Sequence, residues 1–178
     1  MSLLINLLTI SRVLFSIIIF LLIFNGSYVT SIFVFFLASI SDYFDGFLAR
    51  KYNKESAFGE ILDPVADKIL VLFSLFAIAI NLKSYLIGFF SALILSRELW
   101  VGALRDYNAR TNNTNATKVT FLAKIKTSLQ MTTIILYLIA LASSIPLLIV
   151  LADIFLLTTT VITIKTGLDY SLNSLYKS

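Results

Sequence analysis

The sequence predicts an all-α membrane protein: six transmembrane helices with an N-terminal interfacial segment, in one catalytic domain spanning residues 1–178. Three observations carry this prediction. Of the 178 residues, 58% are hydrophobic and only 13% charged, and the mean hydropathy is +0.93, far too apolar for a soluble domain of this size. The apolar residues form runs close to the roughly 20 residues that carry a helix across a bilayer. Basic residues gather at the ends of alternate runs, as they do on cytoplasmic membrane faces.

The elements follow in order. Residues 1–24 are apolar apart from Asn6, Thr9, Ser11, Arg12 and a few small polar groups. A cleavable leader would carry its charge before the apolar run, so this stretch reads as an interfacial segment leading into helix 1. Asn25-Gly26-Ser27 breaks the pattern. Helix 2 starts at Tyr28 and continues through an acidic stretch to about Arg50, and 51–56 is a short polar loop. Helix 3 covers about 59–80, with Pro64 tolerated in its first turns, and 81–84 is a turn. Helix 4 begins at Tyr85 and runs past the bilayer into SRELWVGALRDYNAR. A polar connection over 111–117 leads to helix 5 at about 118–142, a tight turn over 143–146, and helix 6 at about 147–164. The loops after helices 2 and 4 and the tail carry Arg50, Lys51, Lys54, Arg105, Arg110, Lys118, Lys165 and Lys177, against Lys83 on the opposite side. Both termini are therefore expected in the cytoplasm.

Composition also excludes chemistry. With no cysteine and no histidine, the chain has no disulfide, no thiolate or imidazole metal ligand, and no Ser/His/Asp or Cys/His apparatus. A metal would be held by oxygen, which favours Mg²⁺, Mn²⁺ or Ca²⁺ over Zn²⁺. The net charge of +4 sits at the ends of apolar runs, so it is assigned to membrane faces and no nucleic-acid partner is expected.

Six of the ten acidic residues lie between 42 and 67, and Asp42, Asp45, Asp63 and Asp67 adjoin hydrophobic runs, where a carboxylate is costly without a cation. At 1.5 Å per residue, Asp42 lies roughly 12 Å from the Arg50 end of helix 2 and Asp67 roughly 10 Å from Glu60, so a hairpin of helices 2 and 3 brings the four level. The i,i+3 and i,i+4 spacings put each pair on one helix face. Four neighbouring carboxylates need compensating cations, and oxygen ligands at this density suit two divalent ions and phosphoryl transfer. Gly46 and Ala49 share the face of Asp42 and leave room for a bulky group against the backbone, with Arg50 offering a cation to a phosphate. The plainer reading pairs these acids with Arg50, Lys51 and Lys68 as helix-end charges. A divalent-cation transporter is a further reading, but it has no evident need for Gly46, Ala49 and Arg50 beside the acids.

The pattern Asp42-x2-Asp45-Gly46-x2-Ala49-Arg50-x8-Gly59-x3-Asp63-x3-Asp67 resembles the signature of the CDP-alcohol phosphotransferase family at every position. The resemblance implies the fold of that family, usually as a homodimer in a bacterial cell membrane with the active site facing the cytoplasm. It implies two divalent cations, Mg²⁺ or Mn²⁺, and transfer of a CDP-linked phosphoryl group to an alcohol with release of CMP. By the same resemblance Asp42, Asp45, Asp63 and Asp67 are metal ligands, Asp67 is also the general base, and Gly46, Ala49, Arg50 and Gly59 line the CDP site. Asn6 and Thr9, spaced in threes with Arg12, either anchor an interfacial helix or lie beside the nucleotide phosphates.

The signature leaves the acceptor open. Arg97 and Arg105 are about 80° apart around helix 4, and Lys124 and Lys126 start helix 5 at a similar depth, a set suited to an acceptor phosphate. The segments 97–105, 124–130 and 166–170 are similar to those of the branch that uses CDP-diacylglycerol as donor and glycerol 3-phosphate as acceptor, with a departure at Ala123, where glycine is expected. A sister enzyme using inositol phosphate, serine or phosphatidylglycerol is the nearest alternative. Asp153, toward the outer side of helix 6, reads as a structural or dimer-contact residue.

Overall fold

The computed structural model describes the backbone of residues 2–52, 57–111 and 121–176 and the side chains of residues 9–41, 62, 64–111 and 125–174. The described residues form six helices: α1 (Ser2–Phe24), α2 (Tyr28–Tyr52), α3 (Ala57–Asn81), α4 (Tyr85–Arg110), α5 (Phe121–Ser143) and α6 (Pro146–Tyr176). Breaks fall where the sequence lacks apolar periodicity. Gly26 has φ +74°, the left-handed conformation that ends α1. Ser84 caps α4, its hydroxyl accepting from the Ile87 N–H at 3.3 Å, and Pro146 occupies the first position of α6, where its missing N–H costs nothing.

The N-terminal segment runs directly into helix 1, the two forming one helix from Ser2. Pro64 is the eighth residue of α3, and the helix passes through it with the loss of one intrahelical hydrogen bond. One expectation changes. Helix 6 runs twelve residues beyond Ile164, to Tyr176. The reason is polar pairing with the overhang of α4: Trp100 Nε1 donates to Ser171 Oγ at 2.9 Å, and Asn108 Nδ2 to Ser174 Oγ at 2.8 Å. Hydropathy ends with the bilayer, whereas the α4–α6 contact does not.

The burial pattern suits a lipid solvent. Leu14, Phe24, Phe33, Leu147 and Val161 are exposed, while Ser16, Ser31, Ser74, Thr133, Thr159 and Thr163 are buried. Some of these buried hydroxyls serve their own helix backbone, as where Ser74 Oγ donates to the Leu70 carbonyl at 2.8 Å. Four stretches are long and apolar enough to cross a membrane, Pro64–Asn81, Tyr85–Arg110, Ile125–Ser143 and Pro146–Ser174, and Thr9–Phe24 and Tyr28–Ser41 are shorter apolar helices. The chain is a multi-pass membrane protein.

α1 packs on both α2 and α3, α3 also on α4 and α5, and α6 on α4 and α5. The stretch that an α2–α3 hairpin would bring level, Asp42 to Asp63, has its side chains, Leu62 apart, outside the described residues; among the described ones, Ile19 and Ile23 of α1 are fully buried in the shared core. Asn81 ties α1, α2 and α3 together, accepting from Tyr28 Oη at 3.1 Å and donating to the Ile23 carbonyl at 3.2 Å. Asp153 accepts from Tyr137 Oη of α5 at 2.5 Å, a contact within the chain that gives this acid a structural role.

Candidate active site

A cavity of about 440 Å³ lies between α3, α4 and α5. Each helix lines it with a stripe at helical spacing: Pro64, Asp67, Lys68, Val71 and Leu75 from α3; Ser91, Ile94, Leu95, Glu98 and Arg105 from α4; Lys126, Thr127, Gln130 and Met131 from α5. The charged members fall late in α4 but early in α5 and within the first half of α3, so antiparallel packing gathers them at one end. Val71, Leu72, Leu75, Ile94 and Leu95 make the rest of the wall apolar. A site with a charged head and an apolar body suits an amphipathic substrate.

Among the described residues two carboxylates, Asp67 and Glu98, line this space. Asp67 is ion-paired with Arg12 of α1, whose side chain is 0% exposed, so α1 supplies the cation that an acid in an apolar bundle needs. Glu98 is held by two cations: Arg97 Nη1 donates to its Oε1 at 3.1 Å, and Lys126 Nζ forms an ion pair with the same oxygen. Lys68 Nζ approaches the Glu98 backbone carbonyl at 3.4 Å. Arg97 is fixed from behind by α6, donating from Nη2 to Thr166 Oγ1 at 2.7 Å. A Cβ on Gly167 would lie 2.8 Å from Arg97 Cγ, so glycine is what lets this guanidinium pass α6. The Tyr170 ring lies under both Arg97 and Arg105, at 5.9 and 5.5 Å from its centroid. Among the described residues, then, Arg97 and Lys126 share the Glu98 carboxylate and Arg105 stands over the same Tyr170 ring as Arg97, which leaves a surplus of positive charge beside the cavity.

The expected site residues divide accordingly. Asp67, Arg105 and Lys126 line the cavity. Arg97, 8% exposed, is turned to Glu98 and Thr166 and is not among the lining residues. Thr9 is buried in α1, one turn from Arg12. The side chains of Asn6, Asp42, Asp45, Gly46, Ala49, Arg50, Gly59, Asp63 and Lys124 lie outside the described residues. The backbones at the acids are helical, from Tyr28 to Tyr52 and from Ala57 to Asn81. Of the expected oxygen ligands only Asp67 is among the described side chains, and its partly exposed carboxylate is a donor type that hard divalent cations take.

From the sequence alone Glu98 carries no role, Lys68 reads only as a helix-end charge, and 166–170 is marked only as a segment similar to the family branch, with no role for Thr166, Gly167 or Tyr170. An acid next to an arginine inside an apolar helix was the available signal for Glu98. Arg12 was noted for its spacing, but its pairing with an acid 55 residues away had no local signature.

The cavity joins a cationic end to an apolar body, and the CDP-alcohol phosphatidyltransferase family model matches residues 2–165. The chain belongs to this family of enzymes. Among its relatives, the CDP-diacylglycerol–glycerol-3-phosphate 3-phosphatidyltransferase of Wigglesworthia glossinidia brevipalpis is 42% identical over 117 residues, 66% of this chain and 64% of the relative. The enzymes of the same name from Salmonella typhimurium strain LT2 and Escherichia coli K12 are 36% and 35% identical over 129 residues, 71% of each chain. The chain thus aligns over roughly two thirds of these relatives.

Proposed function

We propose that the chain transfers the phosphatidyl group of CDP-diacylglycerol to glycerol 3-phosphate, yielding phosphatidylglycerophosphate and CMP. Asp67 accepts the proton of the acceptor's primary hydroxyl; that oxygen bonds to the lipid-linked phosphorus as the bond to CMP breaks and CMP leaves with the electron pair. Arg12 holds the Asp67 carboxylate at the cavity wall. Arg105 and Lys126 bind the acceptor phosphate with Lys124, and Arg97 acts behind them by fixing Glu98. Gly46, Ala49, Arg50 and Gly59, with Asn6 and Thr9, hold the CDP moiety. Two Mg²⁺ or Mn²⁺ ions carried by Asp42, Asp45, Asp63 and Asp67 supply charge neutralisation of the diphosphate. Six spans, cytoplasmic termini with the site facing the cytoplasm of a bacterial cell, and a homodimer complete the reading.

The observation that carries it is the placement of Asp67, the last acid of the family signature, in one cavity with a cluster of surplus cations. CMP release from CDP-diacylglycerol, measured with glycerol 3-phosphate, inositol phosphate, serine and phosphatidylglycerol in turn, tests it. Turnover is expected with glycerol 3-phosphate, abolished by chelator and restored by Mg²⁺ or Mn²⁺. Turnover with another acceptor and none with glycerol 3-phosphate would reassign the enzyme to a sister activity.

A further inference from the structure

Gln130 is the polar group in this cavity that the charge network leaves over. It lines the cavity from α5, is 6% exposed, and its Nε2 has no hydrogen-bond partner among the described residues. A buried amide N–H without an acceptor is rare because it forfeits its hydration. The polar and apolar neighbours in the wall are otherwise engaged or mute: Oε1 of Glu98 receives both Arg97 and Lys126, and Met131, Leu75 and Leu95 of the same cavity are apolar. Gln130 lies one turn beyond Lys126, about 6 Å along the axis, and helical side chains lean toward the N-terminus, which carries its amide back over the Lys126–Thr127 turn.

We infer that Gln130 donates its amide N–H to the secondary hydroxyl oxygen of the acceptor and thereby selects a polyol phosphate over a phosphate ester that lacks this hydroxyl. The inference rests on the acceptor reading above and deepens it. A neutral donor beside two cations is redundant for the phosphate, which Lys126 and Arg105 serve. The next groups along a short polyol phosphate are hydroxyls on adjacent carbons, and a donor one turn from the lysine meets the first of them. A site built to bond a hydroxyl rejects the analogue without it, since its buried donor is then left unpaired.

The test compares sn-glycerol 3-phosphate with 3-hydroxypropyl phosphate, which keeps the phosphate and the attacking primary hydroxyl and lacks only the secondary one. The full chain, wild type and Gln130→Met, is assayed for CMP release with CDP-diacylglycerol as donor. Wild type is expected to favour glycerol 3-phosphate by about 10- to 100-fold in kcat/KM. Gln130→Met is expected to bring that ratio to about 1 by losing activity on glycerol 3-phosphate alone, with the KM for CDP-diacylglycerol unmoved. Gln130→Glu, which keeps the shape and removes the donor, should abolish the same preference, and taking a ratio of two acceptors cancels any loss of folded enzyme. An unchanged ratio in both variants overturns the inference, as does a change in the CDP-diacylglycerol KM, which would place the amide on the lipid. Failure of wild type itself with glycerol 3-phosphate rejects the acceptor reading instead, and is recognised before any variant is made.

Discussion

Asp67 and Glu98 face one cavity from neighbouring helices, yet they are compensated in opposite ways. Asp67 pairs with a fully buried arginine from α1 and keeps 33% of its side chain exposed. Glu98, 15% exposed, is enclosed between Arg97 and Lys126, with Arg105 nearby on the same helix. The first carboxylate is partly exposed and lines the cavity, the place from which the proposed proton transfer would be made. The second gives one oxygen to two cations, so the charge left uncancelled around it is positive. Under the proposed function, one acid would serve the chemistry and the other would hold cations where a phosphate can meet them.

Substitutions break this contrast at different points. Asp67→Asn removes the proton acceptor, so CMP release per folded molecule should fall by about 10³-fold, and because it also takes the negative charge from the pair with buried Arg12, the unfolding midpoint should fall with it. Near-normal turnover would remove Asp67 as the base. Glu98→Gln instead leaves Arg97 and Lys126 without their shared anion and should cost about 3 kcal/mol of stability, read as a lower unfolding midpoint in detergent. Adding Lys126→Met should recover part of that loss, because the stranded cation goes with it; strictly additive effects would show that the pair is not coupled. Smallest is Gly167→Ala. Its new Cβ would press on Arg97 Cγ and Nε, displacing the guanidinium from Thr166 at a cost of about 1–2 kcal/mol, with a raised KM for the acceptor and none for the donor. A donor effect would move Arg97 out of the acceptor side of the site.

Those tests draw on residues of very different legibility. The acids of α2 and α3 could be found from sequence because their helical spacing is local and their cost in an apolar chain is evident from composition. Arg105 and Lys126 could be found as cations near helix ends, although only packing shows that both reach the same cavity. Arg97 was legible as a charge inside helix 4 but not as a residue turned to α6. Thr166 and Gly167 had no chemistry of their own to mark them; their role exists only through the arginine 69 and 70 residues earlier.

By itself the sequence determined most of the helical spans and the turns at Gly26, Ser84 and Pro146, since hydropathy, periodicity and turn chemistry act over a few residues. Tertiary structure decided which charges meet. α1 packs along α3, so Arg12 reaches Asp67; α4, α5 and α6 converge, so Arg97 and Lys126 hold Glu98 while Thr166 holds Arg97. It also decided the length of α6, whose polar end is held by α4 after hydropathy has run out. The reason is common to all three: in a low-dielectric bundle a polar group is stable only beside its partner, and that partner is chosen by helix packing across long sequence separations.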